Sequence, residues 1–345
     1  MKAQNTRVLR FDGDSLAEAA RLVRAGQPVA VPTETVYGLA ADATDAEAVR
    51  RIYDAKGRPS FNPLIVHVDG VAQAERLAHF SDAARALAAA FWPGALTLVL
   101  PARDGGGLAA GVTAGLPTVA LRCPDHPAMQ ALLAAAGRPL AAPSANASGG
   151  ISPTRAEHVL ASLGGRIALI LDGGQTDRGL ESTIVAVETG GVRLLRPGPI
   201  GMEEIEALLS PSCKGGAGGG SEGRRDTESA EVSLRSPTHP QPLPSREGRI
   251  EAPGQLASHY APSKPLRLDA TLASPDEWLI GFGPMDGDDN LSPSGDLEEA
   301  AARLFDALHR ADGQDRPRIA VAPIPEAGIG LAVNDRLRRA AAPRA

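Results

Sequence analysis

Short apolar runs alternate with helical periodicity along residues 7–210. An apolar run bounded by Gly or Pro predicts a buried strand, whereas a period of about 3.6 residues predicts an amphipathic helix. The predicted strands cover residues 29–31, 64–68, 96–100, 118–121, 167–171, 182–187 and 192–195. This alternation predicts an α/β domain with a twisted, open, mixed sheet and helices packed on it.

Capping residues predict where three helices begin. Thr44 and Glu47 have the spacing of a capping box. Ser81 has the character of an N-cap for a helix that runs to about Phe91, where a Pro-Gly pair ends it. Ser152 precedes a proline in the first-turn position, which predicts a further helix start.

Residues 211–250 interrupt the alternation. The stretch 214–221 is rich in Gly and the stretch 236–245 is rich in Pro and Ser. Such segments bury too little apolar surface to offset the entropy of ordering. We therefore expect a disordered insertion at about 213–250, inside a linker that spans 211–269.

A second α/β pattern follows the linker. Strands are predicted at 278–282 and 318–322, and helices at 297–309 and 329–339. They indicate a small C-terminal α/β domain of Rossmann-like form at 270–345, separate from the first domain at 1–210.

Composition narrows the class of protein. A chain of 345 residues is too long for a single domain of ordinary size. Because 43% of the residues are hydrophobic and only 3% are aromatic, the core must be built mainly from aliphatic side chains. The net charge of −6 argues against a protein dominated by nonspecific nucleic-acid binding. Cys123 and Cys213 lie too far apart to indicate a disulfide framework or a thiolate zinc site. A polar start without a long apolar run predicts a soluble, cytoplasmic protein with no membrane partner.

Candidate phosphate-binding chemistry lies on loops rather than in a standard motif. Residues 281–287 resemble a dinucleotide fingerprint, but the spacing is one residue too long and an acidic loop follows. Lys56 and Arg58 end a helix before a loop that contains two prolines. Cations at that place stabilise the helix C-terminus, and they equally suit a phosphate ligand.

Other candidates are ambiguous when each is taken alone. The small polar residues of 143–150 suit a ligand contact or an ordinary turn. Arg122 and Arg196 each follow the end of a predicted strand. Either arginine could bind a ligand or could be an ordinary solvated cation of a loop. A lone His67 in a strand is more often structural, and Tyr260 alone would be an ordinary linker aromatic.

Taken together, the segments resemble a known family. In order along the chain they read PTETVYGL at 32–39, KGRPSFNPL at 56–64, HV at 67–68, TVALR at 118–122, PSAN at 143–146, ESTI at 181–184 and LLRPG at 194–198. They resemble the YrdC-type threonylcarbamoyl-AMP synthases, and SHYAP at 258–262 is typical of the linker in their longer, two-domain form. The chain departs from that pattern at 213–250, which is longer, and at 255–257.

The resemblance implies a YrdC-like catalytic domain at 1–210 and a nucleotidyltransferase activity. Such enzymes join L-threonine, bicarbonate and ATP, with Mg2+, into L-threonylcarbamoyladenylate and release pyrophosphate. The product then passes to the machinery that modifies adenosine in tRNAs reading ANN codons. Weak RNA binding is left open by this resemblance.

The resemblance also implies roles for individual residues. Lys56 and Arg58 would act on phosphate charge as the catalytic cations, and the protein itself would contribute no metal ligand. Tyr260 would form part of a lid over the nucleotide, and Glu34 receives no role. The implied L-threonine contacts are Thr35, His67, Arg122, the backbone at Ala142, and Ser182. The implied ATP contacts are Arg58, Asn62, Thr118, Ser144, Ser152, Arg196 and Tyr260.

Three alternatives remain at this level. A related fold could serve as an RNA-binding module, although few aromatic residues are present for base stacking. A hydrogenase-maturation factor would carry additional zinc-finger cysteines, and only two cysteines occur in this sequence. A noncatalytic paralogue is the third alternative.

Overall fold

A computed structural model describes residues 5–210 and 250–343. The predicted insertion at 213–250 falls almost wholly outside the described residues. The strands are β1 (Arg7–Arg10), β2 (Val29–Val31), β3 (Gly38–Asp42), β4 (Ile65–His67), β5 (Leu96–Pro101), β6 (Thr118–Arg122), β7 (Leu140–Ala141), β8 (Leu169–Asp172), β9 (Thr183–Glu188), β10 (Gly191–Arg196), β11 (Leu266–Arg267), β12 (Glu277–Gly281), β13 (Asp289–Asn290) and β14 (Arg318–Val321). The helices are α1 (Gly13–Arg24), α2 (Ala46–Lys56), α3 (Val71–Leu77), α4 (Asp82–Phe91), α5 (Ala110–Thr113), α6 (Pro127–Ala136), α7 (Ala156–Leu163), α8 (Met202–Leu209), α9 (Leu297–Asp312) and α10 (Gly330–Ala341).

The first unit is built on a ten-stranded sheet with the order β1-β8-β2-β3-β7-β4-β6-β5-β9-β10. The β4–β6 and β5–β9 pairs are parallel, whereas β2–β3, β4–β7 and β9–β10 are antiparallel. The predicted mixed α/β architecture is therefore confirmed. Among the described helices, none is both long and apolar enough to cross a lipid bilayer.

The two faces of this sheet are covered differently. Ala30 points into a core shared with α2, α4, α7 and α8, whereas its neighbours Val29 and Val31 point into a core shared with α1 and α6. Alternation of side chains along each strand produces this division. At the β4-β6-β5-β9 end, the second face carries Ile65 and Ala120, and Ala252 packs on it. Residues 250–262, here called the strap, thus cover the part of this face on which the site lies.

The second unit is a small parallel sheet with the order β11-β14-β12-β13, packed with α9 and α10. Its first strand, β11, lies inside the segment predicted as linker. The apolar cluster that fills this unit also contains Val36, Ile151 and Leu180 of the first unit and Tyr260 of the strap. The two units therefore share one continuous apolar contact.

The contact between the units is close at the level of the backbone. Gly179 has φ +66°, and a Cβ built there would lie 2.3 Å from the carbonyl oxygen of Ala302 and 2.6 Å from its Cα. Both features favour glycine, because L residues with side chains rarely adopt this φ and no side chain fits the space. The first unit consequently meets helix α9 without any intervening side chain at this point.

Two predicted helix starts are wrong. Thr44 does not cap α2, because Asp45 is the N-cap and accepts hydrogen bonds from the amides of Glu47 and Ala48. The N–H and hydroxyl of Thr44 instead donate to Asp42. The carboxylate of Asp45 is thus the group that satisfies the free N–H groups of the first turn.

The predicted helix start at Ser152 is also displaced. Helix α7 begins at Ala156, with Arg155 at the N-cap. The carbonyl of Pro153 accepts a hydrogen bond from the amide of Tyr37 at 2.8 Å, and the hydroxyl of Ser152 donates to Glu181. These long-range contacts hold the segment in an extended form. By contrast, Ser81 caps α4 as predicted.

Candidate active site

A cavity of about 40 Å³ lies between the second sheet face and the strap that covers it. Eight of the residues predicted for the site contribute to its walls: Thr35, Arg58, His67, Arg122, Ala142, Ser144, Arg196 and Tyr260. Space of this size holds roughly three water molecules. It cannot hold a nucleotide, so a ligand of that size requires the strap to move.

One end of the cavity is formed by a turn and the end of β6. The hydroxyl of Thr33 accepts hydrogen bonds from the amides of Thr35 and Val36, which fixes the turn after β2. The Oγ1 atom of Thr35 then accepts a hydrogen bond from Nη1 of Arg122 at 2.9 Å, and Nε of Arg122 donates to the carbonyl of Gly94. Two fixed acceptors therefore hold the guanidinium plane against the cavity.

Glu34 neutralises the charge of Arg122. Its Oε1 lies 2.5 Å from Nη2 of Arg122, and the two side chains are only 8% and 5% exposed. The contact is an ion pair without the alignment of a hydrogen bond, because Nη2 of Arg122 and both oxygens of Glu34 lack a hydrogen-bond partner among the described residues. The Nη2 atom of Arg122 is therefore already engaged by the carboxylate of Glu34.

His67 and Ala142 complete this end through the register of the sheet. His67 on β4 stands directly opposite Arg122 on β6. Burial, reinforced by the charge of Arg122, lowers the pKa of His67 to about 3, so the imidazole is neutral. The amide of Ala142 donates to Ile65 within the sheet, which leaves its carbonyl as the group that Ala142 can offer to a ligand.

The other end of the cavity is cationic. Arg58 donates through Nη2 to Oδ1 of Asn62 at 2.7 Å and to the carbonyl of Pro63 at 2.8 Å. Burial lowers the pKa of Arg58 to about 10, which still leaves it charged at neutral pH. Arg196 reaches the cavity from the end of β10, and its Nε and Nη2 donate to the carbonyl of Ser182. The cavity therefore suits an anionic ligand.

Five predicted residues do not reach the cavity wall: Lys56, Asn62, Thr118, Ser152 and Ser182. Lys56 donates to the carbonyls of Ser144 and Asn146 and thereby holds the 144–146 loop. Burial, and then the charge of Arg58, lower the pKa of Lys56 well below its ordinary value. Asn62 and Ser182 lie behind Arg58 and Arg196, respectively.

The remaining two members of that set lie further from the cavity. Thr118 is at the first position of β6, opposite Pro101 on β5. Ser152 is fully buried, and its Oγ donates to Oε1 of Glu181 at 2.5 Å. The hydroxyl of Ser152 is thus joined to the cavity wall through Glu181, which does line it.

The strap closes the cavity with Tyr260. This residue is 1% exposed and has φ +63°, a conformation that is costly for a bulky side chain. Its ring packs against His259 and Phe305, at centroid distances of 4.1 and 5.6 Å. Its hydroxyl is buried without a hydrogen-bond partner among the described residues. Gly254 approaches so closely that a Cβ there would lie 2.8 Å from this hydroxyl.

Sequence reasoning assigned no role to several residues of this region. Glu181 and His259 both line the cavity, and both stood inside segments that were used only to identify the family. Gly254 also lines it and belongs to a Pro-Gly pair in the linker signature; its φ of +88° is one that favours glycine. Arg336 lies behind Glu181 and Tyr260, and nothing in its local sequence indicated this position.

A resident metal is poorly supported by the side chains around the cavity. Among the lining residues Glu181 is the carboxylate, and it is already bonded to Ser152 and Arg336. No group of three or more His, Cys, Asp or Glu side chains with metal-binding spacing occurs in the described residues. The fold and the cavity thus define a two-unit α/β protein with a closed site for small anionic ligands.

Comparisons with known proteins extend this definition. Residues 21–198 match the Sua5/YciO/YrdC family described as "Telomere recombination", and residues 200–342 match "Threonylcarbamoyl-AMP synthase, C-terminal domain". The threonylcarbamoyl-AMP synthase of Bacillus subtilis is 40% identical over 97% of this chain and 95% of its own length. That of Pyrococcus abyssi is 38% identical over 93% and 92%.

A solved structure agrees with these matches. The crystal structure of P. abyssi Sua5 complexed with L-threonine has a TM-score of 0.78 and 36% identity, and the match covers 97% of this chain and 96% of that one. The chain belongs to the threonylcarbamoyl-AMP synthase family, in its two-domain form.

Proposed function

We propose that this protein is an L-threonylcarbamoyladenylate synthase. It condenses L-threonine, bicarbonate and ATP and releases pyrophosphate, and its product serves the threonylcarbamoyl modification of tRNAs that read ANN codons. The observation that carries the proposal is one cavity whose wall contains the three buried cations Arg58, Arg122 and Arg196. Membership of the family supplies the identity of the ligands.

The Arg122 end would bind L-threonine. A guanidinium held in one plane can accept a carboxylate through two parallel hydrogen bonds. The position of Arg122 in the cavity wall, beside the hydroxyl of Thr35, supports this assignment. The neutral His67 and the carbonyl of Ala142 would contact the amine. Ser182, which the resemblance assigns to L-threonine, holds Arg196 of the other end.

The Arg58 end would bind ATP. Arg58, Ser144, Arg196 and Tyr260 line this part of the cavity and would contact the nucleotide. Asn62, Thr118 and Ser152 would take part once the strap has opened and the nucleotide has entered. Lys56, from behind the loop that it holds, would reduce the negative charge of the phosphates.

The reaction needs alignment more than covalent catalysis. The uncharged amine of L-threonine attacks the carbon of bicarbonate, and the bicarbonate hydroxyl leaves with one amine proton as water, which gives a carbamate. An oxygen of the carbamate then attacks the α-phosphorus of ATP, the bond to the β-phosphate oxygen breaks, and pyrophosphate leaves. Holding three components in line can supply on the order of 7–11 kcal/mol. The fixed guanidinium groups of Arg58 and Arg196 would stabilise the charge that develops on the phosphates.

Mg2+ would enter with the phosphates of ATP. This ion commonly keeps several water ligands and binds through substrate phosphates, so it needs few protein ligands. The strap would exclude water from the acyl-adenylate, which is labile to hydrolysis. The proposal also includes transfer of the product to the tRNA-modifying machinery, weak contact with RNA and a cytoplasmic location.

The test is pyrophosphate release. The protein is incubated with ATP, Mg2+, bicarbonate and L-threonine, and the adenylate is identified by mass spectrometry. Matched reactions omit L-threonine or deplete bicarbonate, and both should abolish release. Release that does not depend on L-threonine would refute the synthase assignment. Tight, salt-sensitive RNA binding without ATP turnover would favour the RNA-binding alternative.

A further inference from the structure

A fully buried arginine of the second unit reaches the site of the first unit. Arg336 on α10 is 0% exposed. Its Nε donates to Oε2 of Glu181 at 3.0 Å, and its Nη1 donates to the carbonyl of Pro197 at 2.8 Å. Glu181 lines the cavity, and Pro197 directly follows Arg196, which also lines it. The guanidinium therefore holds two segments of the cavity wall at once.

Glu181 passes this contact on to Ser152. Its second oxygen, Oε1, accepts the hydrogen bond from Oγ of Ser152, so both carboxylate oxygens are used. The three side chains form a chain from α10 to the segment before α7. A carboxylate bonded at both oxygens has little rotational freedom, which fixes the wall of the cavity at Glu181.

Tyr260 is the third group that Arg336 contacts. The guanidinium carbon lies 5.4 Å from the centroid of the ring, within the range of a cation–π contact. Tyr260 also has the unfavourable φ of +63°, which persists only where surrounding groups determine the conformation. Arg336 and Phe305, both from the second unit, supply two of these groups.

The arrangement differs from what packing alone would require. A buried ion pair is commonly no more stabilising than apolar side chains of the same volume, because desolvation of the charges offsets their attraction. Three of the contacts of Arg336, with Glu181, Pro197 and Tyr260, lie at the cavity wall or next to it. We therefore attribute the burial of the Arg336 charge to its effect on the geometry of the cavity wall rather than to a gain in stability.

We propose that Arg336 is a positioning residue for ATP, which fixes Glu181 and the Arg196–Pro197 segment where the nucleotide binds and contacts Tyr260 while the strap is closed. The identity of the ligand rests on the proposed function. In these contacts Arg336 touches neither Thr35 nor Arg122, so binding of L-threonine should not depend on it. The second unit thereby acts on one ligand and not on the other.

The test measures direct binding of ATP and of L-threonine, each by calorimetry on the full chain. Arg336→Met removes the charge at similar volume and should weaken ATP binding about 10- to 100-fold, the range expected when a binding group is misplaced by about 1 Å. Binding of L-threonine should stay within about twofold. Arg336→Lys should give an intermediate loss, since it keeps the charge but not the planar fork.

Loss of Arg336 alone leaves Glu181 buried without a countercharge, which endangers folding. The double variant Arg336→Met with Glu181→Gln removes that charge and should melt near the parent, yet still bind ATP weakly. Glu181→Gln alone is its reference. Arg338→Met is the matched surface control, because Arg338 lies on the same helix and pairs only with Glu326 among the described residues.

Two outcomes would overturn the inference. One is a folded double variant, or a folded Arg336→Lys, with parental affinity for ATP. The other is equal weakening of ATP and L-threonine, which would indicate a purely structural role. If the unmodified protein binds both ligands but forms no adenylate, the proposed function is refuted. The binding data would then still show whether Arg336 positions ATP. A parent that binds no ATP would overturn both.

Discussion

The two ends of the cavity are built in different ways. The proposed threonine end takes Thr35, His67, Arg122 and Ala142 from one sheet and the turn beside it, and strand register places His67 next to Arg122. The proposed nucleotide end takes Arg58, Arg196 and Tyr260 from a loop, a strand end and the strap, with Arg336 of the second unit behind them. The first end depends on the backbone of one unit, and the second depends on side-chain contacts across two units.

The comparison predicts that substitutions at one end affect one ligand. Arg122→Met should raise the KM for L-threonine about 100-fold or more, because two charge-assisted hydrogen bonds are worth roughly 3–6 kcal/mol together. The KM for ATP should change little. Steady-state pyrophosphate release, with each substrate varied in turn, measures both constants.

The control for this variant addresses folding. Without Arg122, Glu34 is a buried charge with no partner, which costs about 3–5 kcal/mol of the free energy of unfolding. The double variant Arg122→Met with Glu34→Gln should regain that stability and still bind L-threonine weakly. A double variant with normal L-threonine KM would show that Arg122 does not bind the carboxylate.

Arg58→Met should have the converse effect at the other end. We expect the KM for ATP to rise about 10- to 100-fold, because one charged donor to phosphate is worth roughly 1.5–3 kcal/mol. The KM for L-threonine should remain close to that of the parent. Arg50→Met is the matched control, since Arg50 lies on α2, just before the Arg58 loop, but is exposed and pairs with Glu47. Equal changes in both constants would contradict the division of the cavity.

Gly254→Ala should disturb the strap with a smaller effect. The new Cβ would lie 2.8 Å from the hydroxyl of Tyr260 and 2.9 Å from Cδ of Arg196. We expect about a tenfold rise in the KM for ATP, since the displaced groups are those of the nucleotide end. Gly174→Ala separates this clash from backbone strain, because Gly174 has a similar φ of +84° and open space at its Cβ position. If both variants behave alike, the close contact at Gly254 is unimportant.

The contact between the two units should contribute less to the free energy of unfolding at acidic pH. His158 stacks on His309 with centroids 3.8 Å apart, and its Nε2 lies 3.5 Å from Asp306. Burial and the neighbouring His309 lower the pKa of His158 to about 3, since Asp306 is already paired with Arg155 and Arg310. The unfolded chain, with a histidine pKa near 6.5, binds more protons between these values. Stability is therefore fully present above about pH 6.5 and falls as the pH drops towards 3.

The measurement is urea unfolding between pH 7.5 and pH 5. His158→Gln should reduce the slope of the unfolding free energy by up to about 1.4 kcal/mol per pH unit. His79→Gln, at an exposed position, is the control for replacing a histidine outside the contact between the units. An unchanged slope in His158→Gln would mean that this histidine titrates alike in both states.

The sequence predicted the parts of the fold whose causes are local. The apolar run at 29–31 is strand β2, and the Ser81 hydroxyl caps α4. The strands β7 and β13 have two residues each, too short to carry a periodic pattern. The helix start predicted at Ser152 failed because a side chain 29 residues away, Glu181, holds that serine.

The same division explains what could be predicted of the site. Residues inside contiguous motifs, such as Thr35 and Arg122, were found through resemblance to a family. Arg336 had no such signal, because its partners Glu181 and Pro197 lie 155 and 139 residues earlier in the chain. Glu34 could be given a partner only after strands β2 and β6 were placed in one sheet.

The backbone contact at Gly179 limits how units can be exchanged between relatives. A chimaera that joins the first unit of one protein to the second unit of another keeps its interface only if position 179 lacks a side chain and the facing α9 backbone stays at Ala302. A side chain at position 179 would push α9 outwards and carry Phe305 and Asp306 of that helix with it. Recombination of the two halves is therefore constrained by a residue that contacts no ligand.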